Sequence, residues 1–145
     1  DGDRLQCHHI GSTAVPGIAA KGTLDLLATA PGLADLDGLR STLQEGGYQW
    51  HGEFGFAGRR YLTKSHPLTG EREVNLHCYA IGDPAIARHL AFRDFLRMHP
   101  AIAAEYEHVK AHCASRHPDN SHAYTDCKSA WIRLVEAKAL AFASQ

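Results

Sequence analysis

The sequence has little of what would commit it to several large functional classes. No apolar run reaches the roughly 20 residues that a membrane-spanning helix needs. There is no charge excess: fifteen basic residues stand against sixteen acidic ones, a formal net charge of −1. No global field therefore draws the chain to duplex nucleic acid, and any anion site must be local. The four cysteines, Cys7, Cys78, Cys113 and Cys127, form neither a CxxC pair nor a disulfide-framework spacing. They read as reduced thiols of a cytoplasmic protein that needs no structural metal to fold. A P-loop, a GxSxG elbow and an HExxH helix are all missing. Neither repeat, low-complexity tract nor signal peptide is visible.

What is there suits one globular domain over residues 1–145, since hydrophobic residues make up 44% and charged residues 21% of the chain. Eleven histidines are many for this length, so the charge climbs steeply below neutral pH. The chain opens abruptly, with Asp1-Gly2-Asp3-Arg4 leading straight into a strand, which reads as the loss of an N-terminal segment.

Residues 1–80 are strand-rich. Leu5 to Ile10 predicts a short strand ended by Gly11, and Ser12 to Gly17 a turn broken by Pro16-Gly17. Leu24 to Ala30 is an apolar run of the length of a buried strand. Leu33, Leu36, Leu39 and Leu43 recur at helical spacing, predicting one helix stopped by Gly46-Gly47. Strands follow at Tyr48–Trp50, Arg60–Leu62 and Val74–Tyr79, with a loop over 65–70. Residues 83–143 are helical. Asp83-Pro84 caps the first helix, Pro100 starts the second, and His117-Pro118-Asp119 separates it from the last. The order predicts an α+β fold: a mixed sheet, helices packed on it, and a C-terminal three-helix layer.

Two local features carry chemistry. The strand ends in Gly11-Ser12-Thr13, where glycine lets backbone approach a ligand and hydroxyls and N–H groups can hold phosphate oxygens. Asp25 then sits inside an apolar strand, an expensive place for a charge without a partner. Lys21 or a loop contact would satisfy it. So would a role as metal ligand or general base, because magnesium sites that hold nucleotide phosphates use one or two carboxylates.

The stretch His9-Ile10-Gly11-Ser12-Thr13-Ala14-Val15-Pro16-Gly17-Ile18-Ala19-Ala20-Lys21, continued by Leu24-Asp25-Leu26-Leu27, resembles the signature of the GrpB family. Leu76-His77, Leu90 to Arg97, Pro100, Tyr106, Lys110, Tyr124 and Lys128 extend the likeness over most of the chain. The resemblance implies the nucleotidyltransferase-like fold. In such enzymes a glycine-serine turn grips the triphosphate and two carboxylates one residue apart hold metal ions. It also implies kinship with an accessory domain that follows some dephospho-CoA kinases. Two positions depart from the pattern. Leu27 stands where an active nucleotidyltransferase carries Asp or Glu, and Gly22 stands where the family has proline. A replacement ligand could come from Glu73, Asn75 or His77, which share one strand face.

The implied site comprises Asp25 and His77 as catalytic residues, with Asp25 also holding Mg²⁺. Gly11, Ser12, Thr13, Lys21, Arg60, Arg93, Lys110, Tyr124 and Lys128 surround a nucleotide or other phosphorylated small molecule. Arg93 with Arg97, Tyr106 with Lys110, and Tyr124 with Lys128 are each one helical turn apart. Such pairs also serve simply to cover helix faces. Three readings result. One is an enzyme of nucleotidyl or phosphoryl transfer. Another is a non-catalytic folding-accessory or ligand-binding module that has lost the second carboxylate. The third is a metal-binding domain using His108, His112, Cys113, His117 and His122.

Overall fold

The computed structural model of the chain describes residues 5–17 and 22–144. Its strands are β1 (Gln6–Ile10), β2 (Leu24–Ala30), β3 (Tyr48–Trp50), β4 (Arg59–Ser65) and β5 (Arg72–Ala80). They form one sheet in the order β1-β2-β5-β4-β3. β2 and β5 run parallel and the other pairs antiparallel, which makes the sheet mixed. A single 3-10 turn, Ser12–Ala14, follows β1, and the helices are α1 (Leu33–Asp37), α2 (Arg40–Glu45), α3 (Pro84–Met98), α4 (Pro100–Arg116) and α5 (Ser121–Ala143).

Side-chain alternation splits the sheet into two faces. Ala28, Ala30, Leu62, Val74, Leu76 and Cys78 pack on one face against Leu33 and Leu36 of α1 and Leu43 of α2. Ile10, Leu27 and Tyr79 on the other meet Ala85, Ile86 and Leu90 of α3. β2 is apolar nearly throughout because both its faces are covered. Each fully buried leucine there, such as Leu27 at 0% exposure, contributes about 2 kcal/mol of hydrophobic stabilisation. A third cluster joins Phe92, Phe95 and Leu96 of α3 to Tyr106 of α4 and Val135 and Ala139 of α5.

The Asp83 cap follows the sequence, and the structure adds a second at Asn120. The Asp83 carboxylate accepts from Ala85 N–H with Pro84 at the first helical position, and the Asn120 side chain accepts from Ala123 N–H. No helix among the described residues is long and apolar enough to cross a membrane.

Two expectations need correction. The single helix over 33–43 is two short ones. Its ladder tightens at Gly38, where Leu39 N–H bonds Leu36 C=O, and glycine at that point weakens continuation. Nor are all four cysteines reduced. Cys7 and Cys78 are free thiols, but Cys113 of α4 and Cys127 of α5 form a disulfide, with Cα atoms 5.7 Å apart. The antiparallel α4–α5 hairpin makes them neighbours, and a search for short cysteine spacings misses such a pair. The disulfide also takes Cys113 from the proposed helical metal set. Among the described residues no group of three His, Cys, Asp or Glu side chains is arranged to hold a metal.

Candidate functional site

β1 and β2 pair so that Ile10 lies opposite Asp25. The chain must turn at once after Ile10, and Gly11 makes that turn at φ 71, ψ −168, a conformation open essentially to glycine alone. A Cβ at position 11 would lie 3.2 Å from both Cβ and Oδ2 of Asp25, so the turn and the carboxylate are in direct apposition. Gly11→Ala is therefore expected to lower stability by about 2 kcal/mol and to push the Asp25 side chain aside, as urea unfolding and a structure of the variant would reveal.

The turn is braced from several directions. Thr13 Oγ1 lies 2.7 Å from His9 Nε2, donates to Ile10 C=O at 3.4 Å and accepts from Asp25 N–H at 3.4 Å. Its hydroxyl thus ties β1 to β2 while the residue lines the cleft. From α3, Arg93 Nη1 donates to His9 C=O at 3.3 Å and Arg97 Nε to Ala14 C=O at 2.8 Å. The two arginines hold the backbone on either side of the turn.

Across the sheet, Asn75 lies beside Asp25 and His77 beside Leu27. Asn75 accepts from Arg72 Nη1 at 2.9 Å and from the Tyr61 hydroxyl at 3.2 Å through its amide oxygen. Its NH₂ is thereby directed to Asp25 Oδ1, to which it donates at 3.1 Å. Burial pushes the Asp25 carboxyl up, while the Asn75 hydrogen bond and the charges of Lys128, His9 and Lys110 act to keep it ionised.

These residues share a cleft of about 1090 Å³ between the sheet and the α4–α5 hairpin. The Gly11-Ser12-Thr13 turn, Asp25, His77, Lys110, Tyr124 and Lys128 all line it, so eight of the eleven residues named from sequence converge. The lysines stand over aromatic rings, Lys110 Nζ at 4.9 Å from Tyr106 and Lys128 Nζ at 4.6 Å from Tyr124, which fixes long cationic side chains on the cleft wall. Burial, then His89 and Arg59, pull the His77 imidazole down to about 3. It is a neutral ring at physiological pH, and its buried Nδ1 has no hydrogen-bond partner.

Lys21 lies outside the described residues. Arg60 and Arg93 are not at the cleft. Arg60 pairs with Cys78 across the strands and therefore occupies the opposite face of the sheet. There its guanidinium grips Asp37 through bonds of 2.6 and 3.2 Å. Arg93 spends its donors on His9 C=O and on Asp94. Both corrections have the same cause: the sequence does not reveal which side of an element a basic residue takes or which partner it meets.

Sequence reasoning missed Arg72, His89, Glu107 and Glu136 on the cleft wall. Arg72 reaches Asn75 from the start of β5, although strand alternation assigns it to the other face. Nothing local marks the three helical residues.

A family model described as GrpB protein matches residues 3–138. UPF0157 protein YqkA of Bacillus subtilis is 42% identical over 135 residues, which are 93% of this chain and 38% of that protein. A dephospho-CoA kinase of Mycolicibacterium paratuberculosis is 28% identical over 151 residues, covering 89% of this chain and 37% of the kinase. The chain thus spans well under half the length of either relative. Among solved structures, conserved protein GrpB from Enterococcus faecalis is similar at a TM-score of 0.88 and 40% identity, over 97% of this chain and 82% of that one. The Cid1 poly(U) polymerase, bound to MgATP, is similar at a TM-score of 0.53 and 14% identity, over 82% of this chain and 38% of the polymerase. That second likeness is one of fold alone. With a family model over most of its length and a GrpB structure matching nearly all of it, the chain belongs to the GrpB family and has a nucleotidyltransferase-like fold.

Proposed function

We propose that this domain binds a nucleotide or other phosphorylated small molecule in the cleft between the Gly11-Ser12-Thr13 turn and the α4–α5 wall. One convergence supports the reading: the turn, Asp25, Lys110 and Lys128 border the same space, and both lysines act on the Asp25 charge. A cleft of about 1090 Å³ is far larger than a phosphate group and suits a ligand of nucleotide size. The lysines neutralise the phosphates, the turn lets backbone come close to them, and Asn75 keeps the carboxylate oriented.

Mg²⁺ is the cofactor that the fold implies, and the residues admit it in one arrangement. Asp25 is the carboxylate beside the turn, so it would hold the ion together with the ligand's own phosphate oxygens and water. The ion would supply charge neutralisation on the phosphates. Nucleotidyl or phosphoryl transfer would then rest on positioning and charge stabilisation.

The second reading, a non-catalytic binding or folding-accessory module, is favoured by Leu27. This side chain fills the second carboxylate position and is fully buried at 0% exposure.

Calorimetric titration with ATP and with inorganic tripolyphosphate, with and without Mg²⁺, tests both. Lys110→Ala/Lys128→Ala should weaken binding by roughly a hundredfold, the loss expected for two charge-assisted contacts. Asp25→Asn should weaken the Mg²⁺-dependent binding and strengthen the metal-free binding, because it removes a charge that repels phosphate. Absence of heat with every nucleotide and phosphorylated metabolite would leave only the accessory reading.

A further inference from the structure

The α4–α5 hairpin carries Lys110, Tyr124 and Lys128 to the cleft on its apical part. Its root is well packed. Ala103 and Tyr106 of α4 and Val135 and Ala139 of α5 are buried, and Tyr106 stacks on Trp131 with ring centroids 5.0 Å apart. Between Tyr106 and Val135 the only buried residue is Cys113, at 1% exposure. The apex has no apolar cluster of its own among the described residues. The Cys113–Cys127 disulfide joins its two arms, one turn from Lys110 on α4, one turn from Tyr124 on α5, and next to Lys128.

We infer that this disulfide is a thiol-exchange site that sets how tightly the cleft holds its anionic ligand, firm when oxidised and slack when reduced. The inference rests on the phosphate-binding reading for its effect on affinity, but not for its effect on the hairpin. The co-reactant is a dithiol reductant. One of its thiolates attacks the Sγ of Cys127, the half-buried member of the pair, and a mixed disulfide forms as the bond between the two cysteines breaks. Cys113 leaves as thiolate and takes up a proton. The second thiol of the reductant then attacks its own mixed-disulfide sulfur and releases Cys127 as a thiol. Two electrons pass from the dithiol to the pair, and the reductant departs as a disulfide. With the staple open, no other buried side chain lies between Tyr106 and Val135, and binding must hold the two lysines on a looser hairpin. Such a bond persists in an oxidising compartment and opens in one buffered by dithiols, so the cleft would report the redox state around it.

Thiol titration in denaturant, amide hydrogen exchange over residues 107–130 and tripolyphosphate calorimetry, each before and after dithiothreitol, test this on the full chain. The oxidised protein should show two thiols, from Cys7 and Cys78, and the reduced protein four. Exchange over the apex should accelerate on reduction, and affinity should fall about tenfold, as expected for two side chains that must be re-immobilised. Cys113→Ala/Cys127→Ser should show two thiols, with the exchange and affinity of the reduced protein, under both conditions. Unchanged apex exchange on reduction, or four thiols in protein purified without reductant, would overturn the inference. Faster exchange with unchanged affinity would overturn the gating and spare the binding site. Faster exchange with no tripolyphosphate binding in the oxidised protein would overturn the binding site, and the gating with it.

Discussion

Leu27→Asp, which restores the carboxylate pattern of an active nucleotidyltransferase, is expected to destabilise the domain by about 4 kcal/mol rather than create a metal site. Position 27 is covered by Ile10 and Tyr79 and by the α3 residues Ala85, Ile86 and Leu90. An aspartate there loses the apolar contacts of leucine and carries a charge into a buried apolar cluster. Its cross-strand neighbour is His77, whose ring burial already holds neutral. Chemical denaturation with and without Mg²⁺ checks this. A variant of wild-type stability with a new Mg²⁺-dependent stabilisation would mean that the second metal-binding position is still open.

Stability should also fall steeply with acid, through His77 and His89 together. Burial, with neighbouring cationic groups, draws the first down to about 3 and the second to about 4, against about 6.5 in the unfolded chain. Above pH 6.5 neither state of the protein holds these protons, so the pair contributes no pH dependence. Below it the unfolded chain binds two protons that the fold refuses. Stability then drops by up to about 1.4 kcal/mol per histidine per pH unit. Between pH 6.5 and 4.5 the loss reaches roughly 5 kcal/mol, a large part of a typical domain's stability. Asp25 works in the opposite sense. Its carboxyl is raised in the fold, so acid returns part of what that buried charge takes away. Urea midpoints at pH 7.5, 6 and 5 should decline progressively. A flat profile over this range would contradict the burial assigned to the two rings.

The parts of the structure legible in the sequence are those with a local cause. Leu24 to Ala30 reads as a strand covered on both sides because its residues are apolar at odd and even positions alike. Asp83-Pro84 marks a helix start because capping needs only the residues beside it. The apposition of Gly11 and Asp25 was legible through spacing and resemblance together: a strand, a glycine turn and an acid on the next strand allow few geometries. Arg60 and Arg93 were misjudged because the side of an element that a residue takes depends on register and packing against distant segments. The Cys113–Cys127 disulfide escaped for a related reason, since its partners meet only once α4 and α5 fold back on each other. His89, Glu107 and Glu136 belong to no motif and enter the cleft solely through the way α3, α4 and α5 pack.

The most direct measurement is a crystal structure of the full chain with tripolyphosphate bound. Phosphate oxygens should lie at hydrogen-bonding distance, about 3 Å, from backbone N–H groups of the Gly11-Ser12-Thr13 turn, with the Lys110 and Lys128 ammonium groups converging from the opposite wall. A phosphate chain seated elsewhere, or an Asp25 carboxylate turned away from Gly11 with the lysines drawn off the cleft, would contradict the account.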